Sequence, residues 1–161
     1  MNLRKCIGLG LFALALTIGP FAWAGTEKVI PLEQIPAEHR KIAQDLFPDV
    51  TFSSADIETD DDGTQIYEIQ GRMPDGRRLE VDLFEDGRVE EYEIEFTETQ
   101  VPGAVMKAAS KKLPGFSPTY IEASHTRSGK VTRYEMEGTL GGQVLDIEVS
   151  ADGRRIEVSD K

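Results

Sequence analysis

Tyr67-Glu68-Ile69-Gln70-Gly71 is answered 67 positions later by Tyr134-Glu135-Met136-Glu137-Gly138. The likeness spreads outward from this pair. Ile35-Pro36 returns as Val101-Pro102, Leu46-Phe47-Pro48-Asp49 as Lys112-Leu113-Pro114-Gly115, and Asp86-Gly87-Arg88 as Asp152-Gly153-Arg154, all at a spacing of 66. One residue inserted between Gly129 and Tyr134 accounts for the step to 67, and one residue fewer between Gly138 and Asp152 for the return to 66. Self-similarity over this length marks a duplicated supersecondary unit, so a reading of one copy can be tested on the other. The first copy runs over 35–96, a polar link over 97–100, and the second copy over 101–161, after a leader at 25–34 with an extended segment at Lys28 to Leu32.

The quoted stretch alternates, and so do its neighbours. Leu79, Val81 and Leu83 alternate with Glu80 and Asp82, and Tyr92, Ile94 and Phe96 with Glu91, Glu93 and Glu95. The second copy repeats the pattern with Leu145, Ile147 and Val149, then Ile156 and Val158. A period of two is the mark of an antiparallel strand with one covered and one wet face. Extended runs at 51–58 and 117–124 make four strands per copy. Asp62-Gly63, Pro74-Asp75-Gly76, Asp86-Gly87, Ser128-Gly129, Gly141-Gly142 and Asp152-Gly153 supply the positive φ of tight turns between them.

Before the strands the period is helical. Ile35, His39, Ile42 and Leu46 share one face in the first copy, and Val101, Val105, Ala108, Ala109 and Leu113 in the second. Pro36 and Pro102 suit the first turn, where a missing N–H costs nothing. Pro48 and Pro114 end the helices, since the residue before a proline avoids the helical region. The predicted class is α+β: two tandem repeats, each an N-terminal helix packed on a four-stranded antiparallel meander. A unit of about 60 residues is marginally stable alone, and joining edges into one longer sheet would support both.

Met1 to Ala24 reads as a secretory signal peptide: Arg4 and Lys5 precede the apolar run Ile7 to Ile18, and Ala22-Trp23-Ala24 offers the small residues of a cleavage site. The run falls short of the roughly 20 residues that span a bilayer, so no stable membrane insertion is expected after cleavage, and the expected location is periplasmic or secreted. Cys6 is the single cysteine. The mature chain therefore has no disulfide, thiolate nucleophile or thiolate metal site. The whole chain has 18 Lys and Arg against 29 Asp and Glu; without Arg4 and Lys5 the balance is 16 to 29, a formal charge of −13. That disfavours nucleic acid, which needs clustered basic residues.

Catalytic and metal motifs are absent. Asp56, Glu58, Asp60, Asp61 and Asp62 before Gly63 are the densest oxygen cluster, but counting an EF-hand loop from Asp56 puts Asp61 in the sixth place and Tyr67 in the twelfth, where glycine and glutamate are required. The cluster reads as a solvated turn, with a divalent-cation or small-ligand sensor as the alternative function. His39 and His125 stand at unmatched places without His or Cys companions, and read as ordinary helix and loop residues. Neither a nucleophile elbow nor a phosphate loop is present. Glu68, Glu80, Asp82, Glu91 and Glu93 fall on the wet face, where exposure would keep their pKa values ordinary and unsuited to catalysis. No enzymatic activity, cofactor or metal is expected.

That wet face is the candidate partner-binding surface: Arg72, Arg78, Glu80, Asp82 and Phe84 from the first copy, Arg133, Glu135, Glu137, Asp146 and Glu148 from the second. Phe84, out of phase with Leu79, Val81 and Leu83, is either a binding anchor or a residue at a bulge or under the other copy.

The order of apolar-Pro opening, helix ending in Leu-Phe-Pro-Asp or Lys-Leu-Pro-Gly, Tyr-Glu-Ile or Tyr-Glu-Met, and a strand into Asp-Gly-Arg resembles the PepSY-like family of exported bacterial proteins. In tandem it is similar to the beta-lactamase-inhibitor-protein-like architecture. The resemblance covers about 120 residues, mostly at fold-forming positions. It implies a helix on an antiparallel sheet, twice, without enzymatic activity, and a binder or inhibitor of peptidases or other envelope proteins. The chain departs from that architecture in lacking the cysteines that staple its repeats.

Overall fold

The computed structural model describes residues 26–59 and 62–160. The expected signal peptide, Asp60 and Asp61 lie outside the described residues. Nine strands form one sheet in chain order: β1 (Thr26–Ile30), β2 (Thr51–Thr59), β3 (Gln65–Arg72), β4 (Arg78–Phe84), β5 (Val89–Glu95), β6 (Ser117–His125), β7 (Val131–Leu140), β8 (Gln143–Ser150) and β9 (Ile156–Asp160). Every neighbouring pair is antiparallel. Helix α1 (Ala37–Leu46) enters between β1 and β2, and α2 (Gly103–Lys112) between β5 and β6.

The sheet is continuous. Two separate meanders would each leave unpaired edges in the middle of the molecule; instead β5 pairs with β6, from Tyr92↔His125 to Glu95↔Glu122. The leader adds β1, slightly earlier than the extended segment expected at 28–32. Pro36 and Pro102 sit one residue outside the helices, as the caps whose carbonyls accept from Arg40 and Met106, at 3.1 and 3.2 Å. The 97–100 link winds into a short 3-10 turn, where Gln100 Oε1 accepts from Thr97 N at 2.7 Å.

Both helices lie on one face. Under α1, Ile35 and Ala43 meet Ala55, Ile69, Val81 and Leu83; under α2, Val101, Val105 and Ala109 meet Ala123, Tyr134, Met136, Ile147 and Val149. Ala43 and Ala109 are 0% and 2% exposed, small enough to let each helix approach the sheet closely. An aromatic line joins the two cores. Phe47 meets Tyr92 edge-on at 4.9 Å, Tyr92 stacks on His125 at 4.8 Å, and Phe96 touches both His125 and Tyr134. His125 is thus the last residue of β6, buried at the junction, and not the loop residue its surroundings suggest. His39 is buried in α1, its Nε2 3.0 Å from the Phe84 carbonyl.

The shared Asp-Gly-Arg motif is turn chemistry. Asp86 and Asp152 each accept from the arginine N–H two residues on, at 3.0 Å, while Gly87 and Gly153 hold positive φ.

Candidate functional site: a carboxylate face

Opposite the helices, the register stacks acidic residues into cross-strand rows. One row is Asp56–Glu68–Asp82–Glu91 over β2 to β5. A second is Gln70–Glu80–Glu93–Ser124–Arg133 over β3 to β7. A third is Glu95–Glu122–Glu135–Glu148–Glu157 over β5 to β9. Like charges directly opposed on one face repel, so these rows need compensation.

The expectation of a wet face with ordinary carboxylates fails at the centre. Asp56, Asp82 and Glu93 are 4%, 6% and 8% exposed, and Glu68, Glu80 and Glu122 are half-buried. Alternation assigns a side chain to a face, and in a wide sheet the neighbouring strands then cover it with their own side chains. Breaks of register at Phe52/Ser54, Asp82/Leu83, Pro118/Tyr120 and Ser124/His125 add bends of the kind bulges impose.

Burial disfavours the charged form, and it dominates here. It pushes Glu68 up to about 9, with repulsion from Glu80, Glu58, Glu27 and Asp56 added. Glu80 rises to about 7 through burial, partly offset by the Gln70 amide. Burial holds Asp82 well above the usual range, reinforced by Glu80, Glu68, Glu91 and Glu90. Burial, then repulsion from Glu135, Glu122 and Asp82, takes Glu93 to about 12, although Ser124 Oγ donates to it at 2.7 Å. Carboxyls this perturbed no longer speak against catalysis on pKa grounds.

The compensating cation of the C-terminal half is Arg133. Its guanidinium grips Glu91 through two nitrogens, donates to Glu135 at 2.8 Å, and lies 3.4 Å from both Glu93 and Glu148. Burial opposes its charge, but the hydrogen bonds to Glu91 and the attraction of Glu135, Glu91 and Glu93 outweigh that and hold the charged form.

The remaining candidate residues scatter. Glu80, Asp82, Arg133, Glu135 and Glu148 share the central rows. Arg72 and Arg78 face each other at one end of β3 and β4, with the Arg78 guanidinium 5.6 Å from the Tyr120 ring centre. Glu137 and Asp146 are opposed on β7 and β8. Phe84 lies at the other end of β4, opposite buried Ile66 and beneath the Arg88 guanidinium at 4.7 Å, one register step beyond the Asp82/Leu83 bulge. It is not grouped with the central rows. Sequence reasoning misses Glu122 and Ser124, and groups Asp56 with the acidic turn, because it assigns no faces to the runs at 51–58 and 117–124; the register of a hairpin partner would supply them. At the acidic turn, Asp62 Oδ1 accepts from Thr64 N at 2.8 Å, a turn-closing bond.

Nine antiparallel strands in chain order with two helices on one face define an α+β fold of the BLIP-like kind. A BLIP-like protein from Bacteroides fragilis superposes with a TM-score of 0.56, at 17% identity over 78% of this chain and 85% of that one. A candidate periplasmic protein of unknown function from Bacteroides vulgatus has 20% identity over 84% of this chain and 100% of that one, with a TM-score of 0.36. A DUF2874-family protein from the same species has 21% identity over 83% and 97%, at 0.33. At such identities the first likeness establishes fold alone, and the other two superpose too loosely for argument. No protein-family model and no curated protein matches the chain. Among the described residues no helix is long and apolar enough to cross a membrane.

Proposed function

We propose that the chain is a non-enzymatic, exported PepSY-like binding protein of two tandem units, acting in the periplasm on a positively charged envelope protein. The observation that carries this reading is the carboxylate face: two rows made wholly of acids and a third that holds Glu80 and Glu93, on the side of the sheet away from both helices. A surface of one sign steers a partner of the other and contributes more to rate and selectivity than to raw affinity. Partner contact belongs to the outer acids, half-buried Glu137 and Asp146 and exposed Glu157, because burial holds the central carboxyls toward their neutral form. Inhibition of an exported peptidase or other envelope enzyme is the finer form of the proposal, supported by the family resemblance and by the BLIP-like fold.

The test compares the purified protein with its Glu137→Lys, Asp146→Lys, Glu157→Lys triple variant in crosslinking capture from envelope extract. The expected result is a set of basic partners captured by the first, lost with the variant, and weakened as salt rises. Identical capture by both proteins would overturn the reading. A panel of exported peptidases assayed with and without the protein then decides the inhibitor form.

A further inference from the structure

Glu135 and Glu148 face each other across β7 and β8, and Arg133 bridges them at 2.8 and 3.4 Å. The N-terminal half contains the same opposed pair without the bridge. Glu68 and Asp82 face each other across β3 and β4. At the spacings of 67 and 66, Glu68 stands where Glu135 does and Asp82 where Glu148 does, but the place of Arg133 falls to Ile66. Among the described residues, no Lys, Arg or His forms an ion pair with Glu68, Glu80 or Asp82.

A second observation points to what fills that place. Asp82 is 6% exposed, and its Oδ1 accepts no hydrogen bond from any described residue. A buried, unpartnered carboxylate oxygen is costly. Asp82 is aimed at company: Glu68, Glu80 and Asp82 each offer an oxygen, and these oxygens lie within 4.8 Å of one another. Asp56, 4% exposed and with its own Oδ1 unpartnered, belongs to the adjoining group of Glu27, Asp56 and Glu68.

We propose that Glu68, Glu80 and Asp82 bind a divalent cation of the calcium type, which does for β3 and β4 what the Arg133 guanidinium does for β7 and β8. The donor set is all carboxylate oxygen, as hard cations require. Three carboxylates around a largely buried place leave little room for the several waters that magnesium retains, whereas calcium takes protein oxygens in flexible geometry. With neither His nor Cys among the donors, zinc is disfavoured. The neighbouring group of Asp82, Glu91 and Glu93 is a poorer host, because Arg133 already holds Glu91 and lies against Glu93. The site differs from the acidic turn at Asp60 to Asp62, and it does not rest on the protein-binding reading.

The experiment is calcium titration of the chelator-treated, purified protein at pH 7.5, followed by calorimetry and by thermal unfolding, with magnesium in parallel. The expected result is saturable calcium heat near one ion per chain and a Tm that rises with calcium concentration, as for any ligand of the native state alone. Asp82→Asn and Glu68→Gln should each weaken binding at least tenfold, while Glu148→Gln leaves it unchanged. If Asp82→Asn does not fold, Glu68→Gln, at a half-buried position, decides between the outcomes. Absence of heat and of any Tm shift at millimolar calcium would overturn the proposal. So would unchanged affinity in Glu68→Gln, equal loss in Glu148→Gln, or tighter magnesium than calcium.

Discussion

A methyl group at position 138 has nowhere to go. A Cβ there would run into the Ser117 carbonyl and lie 2.5 Å from Phe116 Cζ; at Gly71, its counterpart, it would lie 2.7 Å from the Thr51 carbonyl oxygen and 2.8 Å from Val50 Cγ1. Both glycines sit where a neighbouring strand breaks register, opposite Phe52 and Pro118. The glycine closing each Tyr-Glu stretch is therefore a close-approach residue, and Gly138→Ala should cost roughly 1–3 kcal/mol through overpacking, read as a lower urea midpoint. Arg133 has a larger effect. Its side chain is 21% exposed and its four carboxylate partners 10–31%. Arg133→Met should lose about 3 kcal/mol at pH 7.5, because removing one member of a buried pair strands the others. The same urea series at pH 5 should show a smaller loss, as protons replace the missing guanidinium. Alternation puts Arg133 on the correct face, but its partners come from β5, β7 and β8, and no spacing along one strand announces that.

At the scale of elements, the strands and helices are legible because each carries its own period. The helix-ending prolines and the Asp-Gly turns fix where each element stops. What periodicity leaves out is adjacency across α2. The β5–β6 pairing joins the two halves through only four opposed positions, and its buried polar tie is Ser124, 0% exposed, with Oγ 2.7 Å from Glu93 and 3.2 Å from Glu135. A single hydroxyl proton serves the nearer carboxylate. Ser124→Ala should therefore cost about 1–2 kcal/mol, measured by denaturant unfolding. Hydrogen exchange should quicken in β5 and β6 more than in β3 or β8, because the junction loosens first. A uniform change across the sheet would mean that this contact does not hold the junction. Alternation is equally silent on depth: Glu68 and Glu137 have the same phase, yet the first is pressed among carboxyls of β1, β2 and β4 and the second is flanked by Asp146 and Tyr120.

For the whole molecule, the consequence is an acidic protein that folds best where its acids are neutral. Glu68, at about 9, Glu80, at about 7, and the raised Asp82 and Glu93 all bind protons more tightly folded than unfolded. The stability they contribute is complete below their unfolded values, 4.5 for glutamate and 3.8 for aspartate. It is lost as pH rises through the folded ones. The groups facing them are Glu27 from β1, Asp56 and Glu58 from β2, Glu90 and Glu91 from β5, Glu122 from β6 and Glu135 from β7. All are acids, and they deepen the effect. Arg133 offsets it only for Glu93. Buried His125 acts in the opposite sense: its lowered pKa means that stability is gained as pH rises through the unfolded value of 6.5, but it is one group against four. The exposed Asp75, Asp86 and Asp152 have depressed values and titrate below 3.8, outside the window. In chelator, the calorimetric Tm should fall steadily from pH 5 to pH 9, the reverse of ordinary acid denaturation. A Tm that is flat or rising over that interval would mean that the central carboxyls are already charged in the folded protein, and that something other than protons compensates the rows.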